Sequence, residues 1–157
     1  MVARGRVLTQ ERHAKEAAVS QTVAGRVMPM IVVASVDAIR NFYVDTLGFS
    51  HVMGMVGKDG QLDFCTVVMG EARIMFMRAP GGTAAPSGKQ PVEIYLEVED
   101  VDALHKNLTK KGAAISDPLT LQWWGDRTFK VLDPNGYEIW FYTNVAEPKP
   151  PQGAKLV

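Results

Sequence analysis

The chain has 157 residues, 46% apolar and 22% charged, enough to bury roughly two thirds of its unfolded surface in one ordinary domain without a disulfide. Seventeen Lys and Arg balance seventeen Asp and Glu, which leaves neither the basic field of a nucleic-acid binder nor the polybasic stripe of a membrane-surface protein. The single Cys65 lies in an apolar run, no stretch is long enough to span a bilayer, and the charged N-terminus lacks a secretion block, so the expected setting is the reducing cytoplasm.

Residues 1–26 mix Arg4, Arg6, Glu11, Arg12, His13, Lys15 and Glu16 without sustained apolar periodicity and read as a flexible arm, with helical turns only around 10–20. A strand follows at 28–34. Ser35 stands as an N-cap, Asp37 suits the positive end of a helix, and Val36, Ile39 and Tyr43 form its apolar stripe before a glycine stop at Gly48. Strands are expected at 49–56, 62–69 and 72–79, parted by Lys58-Asp59-Gly60 and by Gly70. The turn-rich run 81–90 is a linker. A strand at 92–98 then leads into a helix capped by Asp100, with Val101, Leu104 and Leu108 as its stripe and Gly112 as its stop. Three strands at 114–119, 123–132 and 137–143 complete the pattern, and the Pro-rich residues 145–157 form an extended or disordered tail.

The halves repeat at a constant shift. Val36, Ile39 and Tyr43 return as Val101, Leu104 and Leu108, and Ser35 as Asp100, each 65 positions later. The domain is therefore 27–144, with module 1 at 27–80, the linker at 81–90 and module 2 at 91–144, each module reading β-α-β-β-β.

Two such modules, with Asn41-Phe42-Tyr43-Val44-Asp45-Thr46-Leu47-Gly48-Phe49 ending the first helix and Asp133-Pro134-Asn135-Gly136-Tyr137-Glu138-Ile139 before the last strand, resemble the vicinal oxygen chelate superfamily. Its members include glyoxalase I, extradiol dioxygenases and bleomycin-resistance proteins. The resemblance implies an α+β fold, in which the tandem modules form a curved, half-barrel-like mixed sheet with the helices outside, and it implies a homodimer. For metal-dependent members it implies four ligand positions, which fall here on Met28, Met75, Glu93 and Trp140. One carboxylate, two thioethers and an indole without a lone-pair donor do not make a Zn, Ni, Fe or Mn site, so no metal or other cofactor is expected. His13, His51 and His105 lie outside that set and read as surface or satisfied histidines.

Strand alternation places Met28, Met30 and Val32 on one face of the first strand and Arg73, Met75 and Met77 on one face of the fourth, with Met53 and Met55 repeating the spacing. These methionines are either an adaptable cavity wall or fillers of an irregular core; thioether capture of Cu(I) is a third reading that lacks a His or Cys anchor. In the second module Glu93 and Tyr95 share a face, as do Glu138, Trp140 and Tyr142. Only one of the adjacent Trp123 and Trp124 can face the cavity, and Trp124-Gly125-Asp126-Arg127-Thr128-Phe129 resembles the segment with which bleomycin-resistance proteins contact flat heteroaromatic groups, which favours Trp124. Asp126 and Arg127 are assigned to strand ends and turns.

Glu93 is the one candidate for acid–base work, and Arg73 is the partner expected to neutralise it. The reading is a metal-free protein that sequesters a flat aromatic or cationic small molecule among Met28, Met30, Arg73, Met75, Met77, Glu93, Tyr95, Trp124 and Trp140. The alternatives are a metal-dependent lyase, isomerase or dioxygenase, a metal-independent enzyme using Glu93, and a noncatalytic accessory domain.

Overall fold

The computed structural model describes residues 24–82 and 88–157. Most of the expected arm and the middle of the linker lie outside them. In chain order the elements are β1 (Met30–Val33), α1 (Val36–Asn41) with a π-helical turn at Phe42–Thr46, β2 (Ser50–Val56), β3 (Leu62–Met69), β4 (Ala72–Arg78), β5 (Ile94–Glu97), α2 (Val101–Lys110), β6 (Ile115–Leu121), β7 (Asp126–Leu132) and β8 (Glu138–Asn144). The two modules form two four-stranded sheets, ordered β1-β4-β3-β2 and β5-β8-β7-β6. In each, the first strand pairs parallel with the fourth and the remaining pairs are antiparallel, which makes both sheets mixed.

Local chemistry sets the helices. Ser35 Oγ accepts from the Ala38 amide at 3.2 Å and Asp100 Oδ1 from the Ala103 amide at 2.9 Å, each satisfying an otherwise orphaned donor in a first turn. The first helix widens into its π turn, closed by the Leu47 amide on the Phe42 carbonyl at 3.1 Å, before Gly48 reverses the chain at φ 88°. Val36, Ile39, Val101 and Leu108 are buried against one face of each sheet, where Ile31, Val33, Ile74 and Phe76 meet them in module 1, and Phe129, Val131, Ile139 and Phe141 in module 2. Burying such aliphatic and aromatic side chains contributes about 1.5–3 kcal/mol each.

The two sequence signatures meet in space. Tyr43, fully buried against Phe49 and Phe76, donates its hydroxyl to Asp133 Oδ2 at 3.0 Å, although 90 residues separate them. Asp133 Oδ1 accepts the Asn135 and Tyr137 amides at 2.9 Å, which closes the turn before β8. Gly136, at φ +87°, lets the chain after the linker lie against this turn: a Cβ there would sit 1.8 Å from the Gly88 carbonyl oxygen.

Several boundaries differ from expectation: β1 and β5 are shorter than the strands expected at 28–34 and 92–98, which leaves Met28 and Glu93 just outside them. Trp123 belongs to the turn before β7 and not to the strand, because Gly125 folds back at φ +98° and its amide bonds to the Gln122 carbonyl. The tail does not leave the domain at once. Val145 and Ala146 donate to the Gly125 carbonyl and Lys149 to the Trp123 carbonyl, so the chain is held over the aromatic turn before its prolines end the pairing. From the expected arm, Arg26 lies against module 1 and pairs with Glu71 at 3.5 Å. Among the described residues no helix is long and apolar enough to cross a membrane.

Candidate functional site

The helices cover one face of each sheet and leave the other open. In module 1 the register sets Met30 beside Met75 and Val32 beside Met77, then Met75 beside Thr66 and Met77 beside Phe64, and finally Thr66 beside Met53 and Phe64 beside Met55. Alternation thus gathers Met30, Met53, Met55, Met75 and Met77 on the open face, with Arg73 two residues before Met75. Met30, Met53 and Met55 are 55%, 53% and 56% exposed, so they are not fillers of the core. They form a soft, accessible wall.

Module 2 presents aromatic rings. Tyr95 stacks on Tyr142 with centroids 4.4 Å apart and lies 5.6 Å from Trp140, which is 6.3 Å from Trp124. One carboxylate fixes Tyr95 and Trp124 of this group. Asp126 Oδ2 accepts the Tyr95 hydroxyl at 2.7 Å and Trp124 Nε1 at 3.0 Å, while Oδ1 accepts Asn144 Nδ2 at 2.8 Å. Burial first, and then this hydrogen bond, push the Tyr95 hydroxyl up to about 12, so it stays a donor across the physiological range. Trp124 joins the open aromatic wall, and Trp123 turns its ring at 88° to it and stays 44% exposed near the tail.

Glu93 lies just before β5, and its expected partner is wrong. Arg73 makes no ion pair among the described residues, and Glu93 is engaged instead by its own module and by the end of the linker. Lys130 Nζ lies 3.6 Å and Lys89 Nζ 3.9 Å from Glu93 Oε1, and Trp140 Nε1 donates to Oε2 at 2.6 Å. The same lysines reach Glu138 Oε2 at 3.0 Å (Lys89) and 3.4 Å (Lys130). Hydrogen bonding with Glu93 first, then Lys89 and Lys130, draws the Glu138 carboxyl down to about 2. Lys130 Nζ also sits 4.0 Å above the centroid of Trp140, within reach of its π face. At 35% side-chain exposure Glu93 is neither deeply buried nor alone, so it lacks the unpaired low-dielectric setting that makes a strong general base.

The fold family's metal does not fit these residues. Two of the four implied positions, Glu93 and Trp140, are hydrogen-bonded to each other, and the others are thioethers. Among the described residues no three His, Cys, Asp or Glu side chains converge to hold an ion. His51 faces Arg40, and His105 lies edge-on to Phe129 at 5.0 Å; His13 is outside the described residues. Cys65 is buried in the core, and burial pushes its thiol up to about 11.

Between the modules, where the edge strands β1 and β5 come near each other, lies a cavity of about 630 Å³. Met28, Met30, Arg73, Glu93 and Tyr95 line it. Met75 and Met77 continue its methionine wall along β4, and Trp140 and Trp124 continue its aromatic wall beyond Tyr95. Sequence reasoning missed Asp126 as the acceptor that organises the rings, and Lys130 as the cation on Trp140. Alternation along β7 places Asp126, Thr128 and Lys130 on one face, but only the pairing of β7 with β8 puts Lys130 opposite Trp140.

The Glyoxalase/Bleomycin resistance protein/Dioxygenase superfamily model matches residues 24–141. An uncharacterised protein of Mycobacterium bovis is 30% identical over 116 residues, covering 69% of this chain and 76% of its own. The bleomycin resistance protein of Geobacillus stearothermophilus is 29% identical over 134 residues, covering 75% and 96%. The bleomycin-binding protein of bleomycin-producing Streptomyces verticillus, solved with copper(II)-bleomycin, superposes with TM-score 0.58 at 26% identity over 81% of this chain and 100% of that one. With its paired β-α-β-β-β modules, its two signatures joined by Tyr43 and Asp133, and a family match over both, this chain belongs to the Glyoxalase/Bleomycin resistance protein/Dioxygenase superfamily.

Proposed function

We propose that the chain binds a flat aromatic small molecule, without a metal, between the methionine wall of β1 and β4 and the aromatic wall of β5, β8 and the Trp124 turn. One observation carries the reading: Asp126 fixes Tyr95 and Trp124 by their polar ends, while Tyr95 remains 44% exposed beside the cavity. Rings held in place before a ligand arrives offer stacking area at little entropic cost, and the thioethers opposite adapt to its shape. The bleomycin-binding relatives support a sequestering role, whose biological consequence is resistance to an antibiotic. Pairing of two copies belongs to the same reading, supported by the exposed Val52, Met53, Met55 and Val56 on the edge strand β2. So does a cytoplasmic setting, supported by the free thiol of Cys65.

Titration of intrinsic tryptophan fluorescence with a panel of aromatic antibiotics tests the proposal. Saturable quenching that Trp124→Ala weakens is expected; no quenching by any compound at high micromolar concentration refutes it. Metal analysis of the purified chain adds a second test, since stoichiometric Zn, Ni, Mn or Fe bound through groove residues would overturn the metal-free part.

A further inference from the structure

We infer that Arg73 anchors an anionic group of the ligand, so that the groove selects planar aromatic acids over aromatic cations. The inference rests on the binding reading above and names its ligand class.

The charges around the cavity carry the argument. Its two acids are Glu71, paired with Arg26, and Glu93, which faces two lysines and an indole donor. Beyond it on the aromatic wall, Asp126 takes three donors and Glu138 is held by Lys89 and Lys130. The place where a ligand cation gains most, over the face of Trp140, is filled by Lys130 Nζ at 4.0 Å. A cationic ligand would therefore have to displace an internal lysine and break its ion pairs. Glu97, two residues beyond Tyr95, opens on a separate depression beside α2 and the β3–β4 turn. What remains is Arg73. It is half-buried, it lines the cavity together with Tyr95, and among the described residues it has no hydrogen bond or ion pair.

A guanidinium in that position has a planar fork of donors that matches a carboxylate or sulfonate in two-point contact. Partial burial strengthens the attraction over its value in bulk water. Because Arg73 and the Tyr95 ring border one cavity, a single rigid molecule can stack on the aromatic wall and place an acid group on Arg73.

Three probes that share one ring system test this by calorimetric titration: 2-naphthoate, neutral 2-naphthamide and the 2-naphthylmethylammonium ion. Wild-type protein should bind the naphthoate about tenfold or more tighter than the amide, the ratio expected of one charge-assisted contact, and the ammonium ion most weakly. Arg73→Gln should bring the naphthoate-to-amide ratio close to one, and Arg73→Lys, which keeps the charge and loses the fork, should restore part of it. Unchanged far-ultraviolet circular dichroism checks that each variant is folded. Equal binding of all three probes by wild type, tighter binding of the ammonium ion, or a ratio that survives Arg73→Gln overturns the inference while the amide still reports a working groove. Absence of saturable heat with every probe instead strikes the binding reading itself, and this inference falls with it.

Discussion

Replacing Tyr43 by Phe removes one oxygen and leaves the ring among Phe49 and Phe76, so its effect reports on the hydrogen bond that ties the two modules together. The lost partner is Asp133, which is 3% exposed and keeps the Asn135 and Tyr137 amides on its other oxygen, with the Gly136 amide also holding it down. A hydrogen bond to a charged acceptor contributes about 1.5–3 kcal/mol, and one to a neutral acceptor about 1. Burial raises the Asp133 carboxyl above its ordinary value, opposed by the Tyr137 amide first and then by the Tyr43 hydroxyl. A carboxyl raised in the folded state favours folding most fully below its unfolded value and loses that contribution as pH rises through its folded value. Removing the Tyr43 donor raises it further. The cost of Tyr43→Phe should therefore be about 1 kcal/mol in mild acid and grow to about 2–3 kcal/mol near neutrality. Urea unfolding at several pH values measures it, with a neutral-pH midpoint shift of about 1 M expected for a domain of this size. A cost that stays the same from acid to neutral pH, or falls below about 0.5 kcal/mol, refutes the account.

Gly136→Ala should destabilise by more than about 2 kcal/mol, since the new Cβ meets the Gly88 carbonyl as well as an unfavourable φ. Gly60→Ala, at φ +80° with nothing nearby, should cost only about 1–2 kcal/mol, and equal urea midpoints for the two would remove the close approach from the explanation. Asp126→Ala should erase near-ultraviolet circular dichroism from Tyr95 and Trp124 and cost about 1–3 kcal/mol, less than the sum of its bonds because the freed donors partly regain water. Retained near-ultraviolet bands would show that packing alone orients the rings. Cys65, whose thiol burial pushes up to about 11, should resist a disulfide reagent at pH 8 until urea unfolds the chain; rapid labelling of native protein would contradict its place in the core.

Much of the fold was legible because its signals are local. Ser35 and Asp100 cap first turns with their own side chains, Gly48 and Gly112 sit at positive φ where the stripes end, and β3 spans the same residues that its composition predicts. The shift of 65 residues survives as well, with Met30 beside Met75 in one sheet and Tyr95 beside Trp140 in the other. In both places the polar side chains were harder to read. Composition places Trp123 in a strand, but a local turn from Gln122 to Asp126 takes it out of the ladder, and the tail that packs over that turn returns from 20 to 26 residues further along the chain.

Periodicity by itself determined which side of each strand a methionine or aromatic residue occupies, since successive side chains must point to opposite faces wherever the strand lies. Residue identity alone also showed that the ligand positions implied by the family resemblance carry the wrong atoms for a hard or borderline metal, because donor chemistry belongs to the residue type. Tertiary structure alone decided that Glu93 meets Lys130 and Lys89, that Arg73 has no ion pair among the described residues, and that Asp126 fixes Tyr95 and Trp124. Those pairings depend on the register of β7 against β8 and on the gap between β1 and β5. A long flexible side chain can reach several partners from one position in the sequence; which one it finds is set by strands that only the assembled sheets bring together.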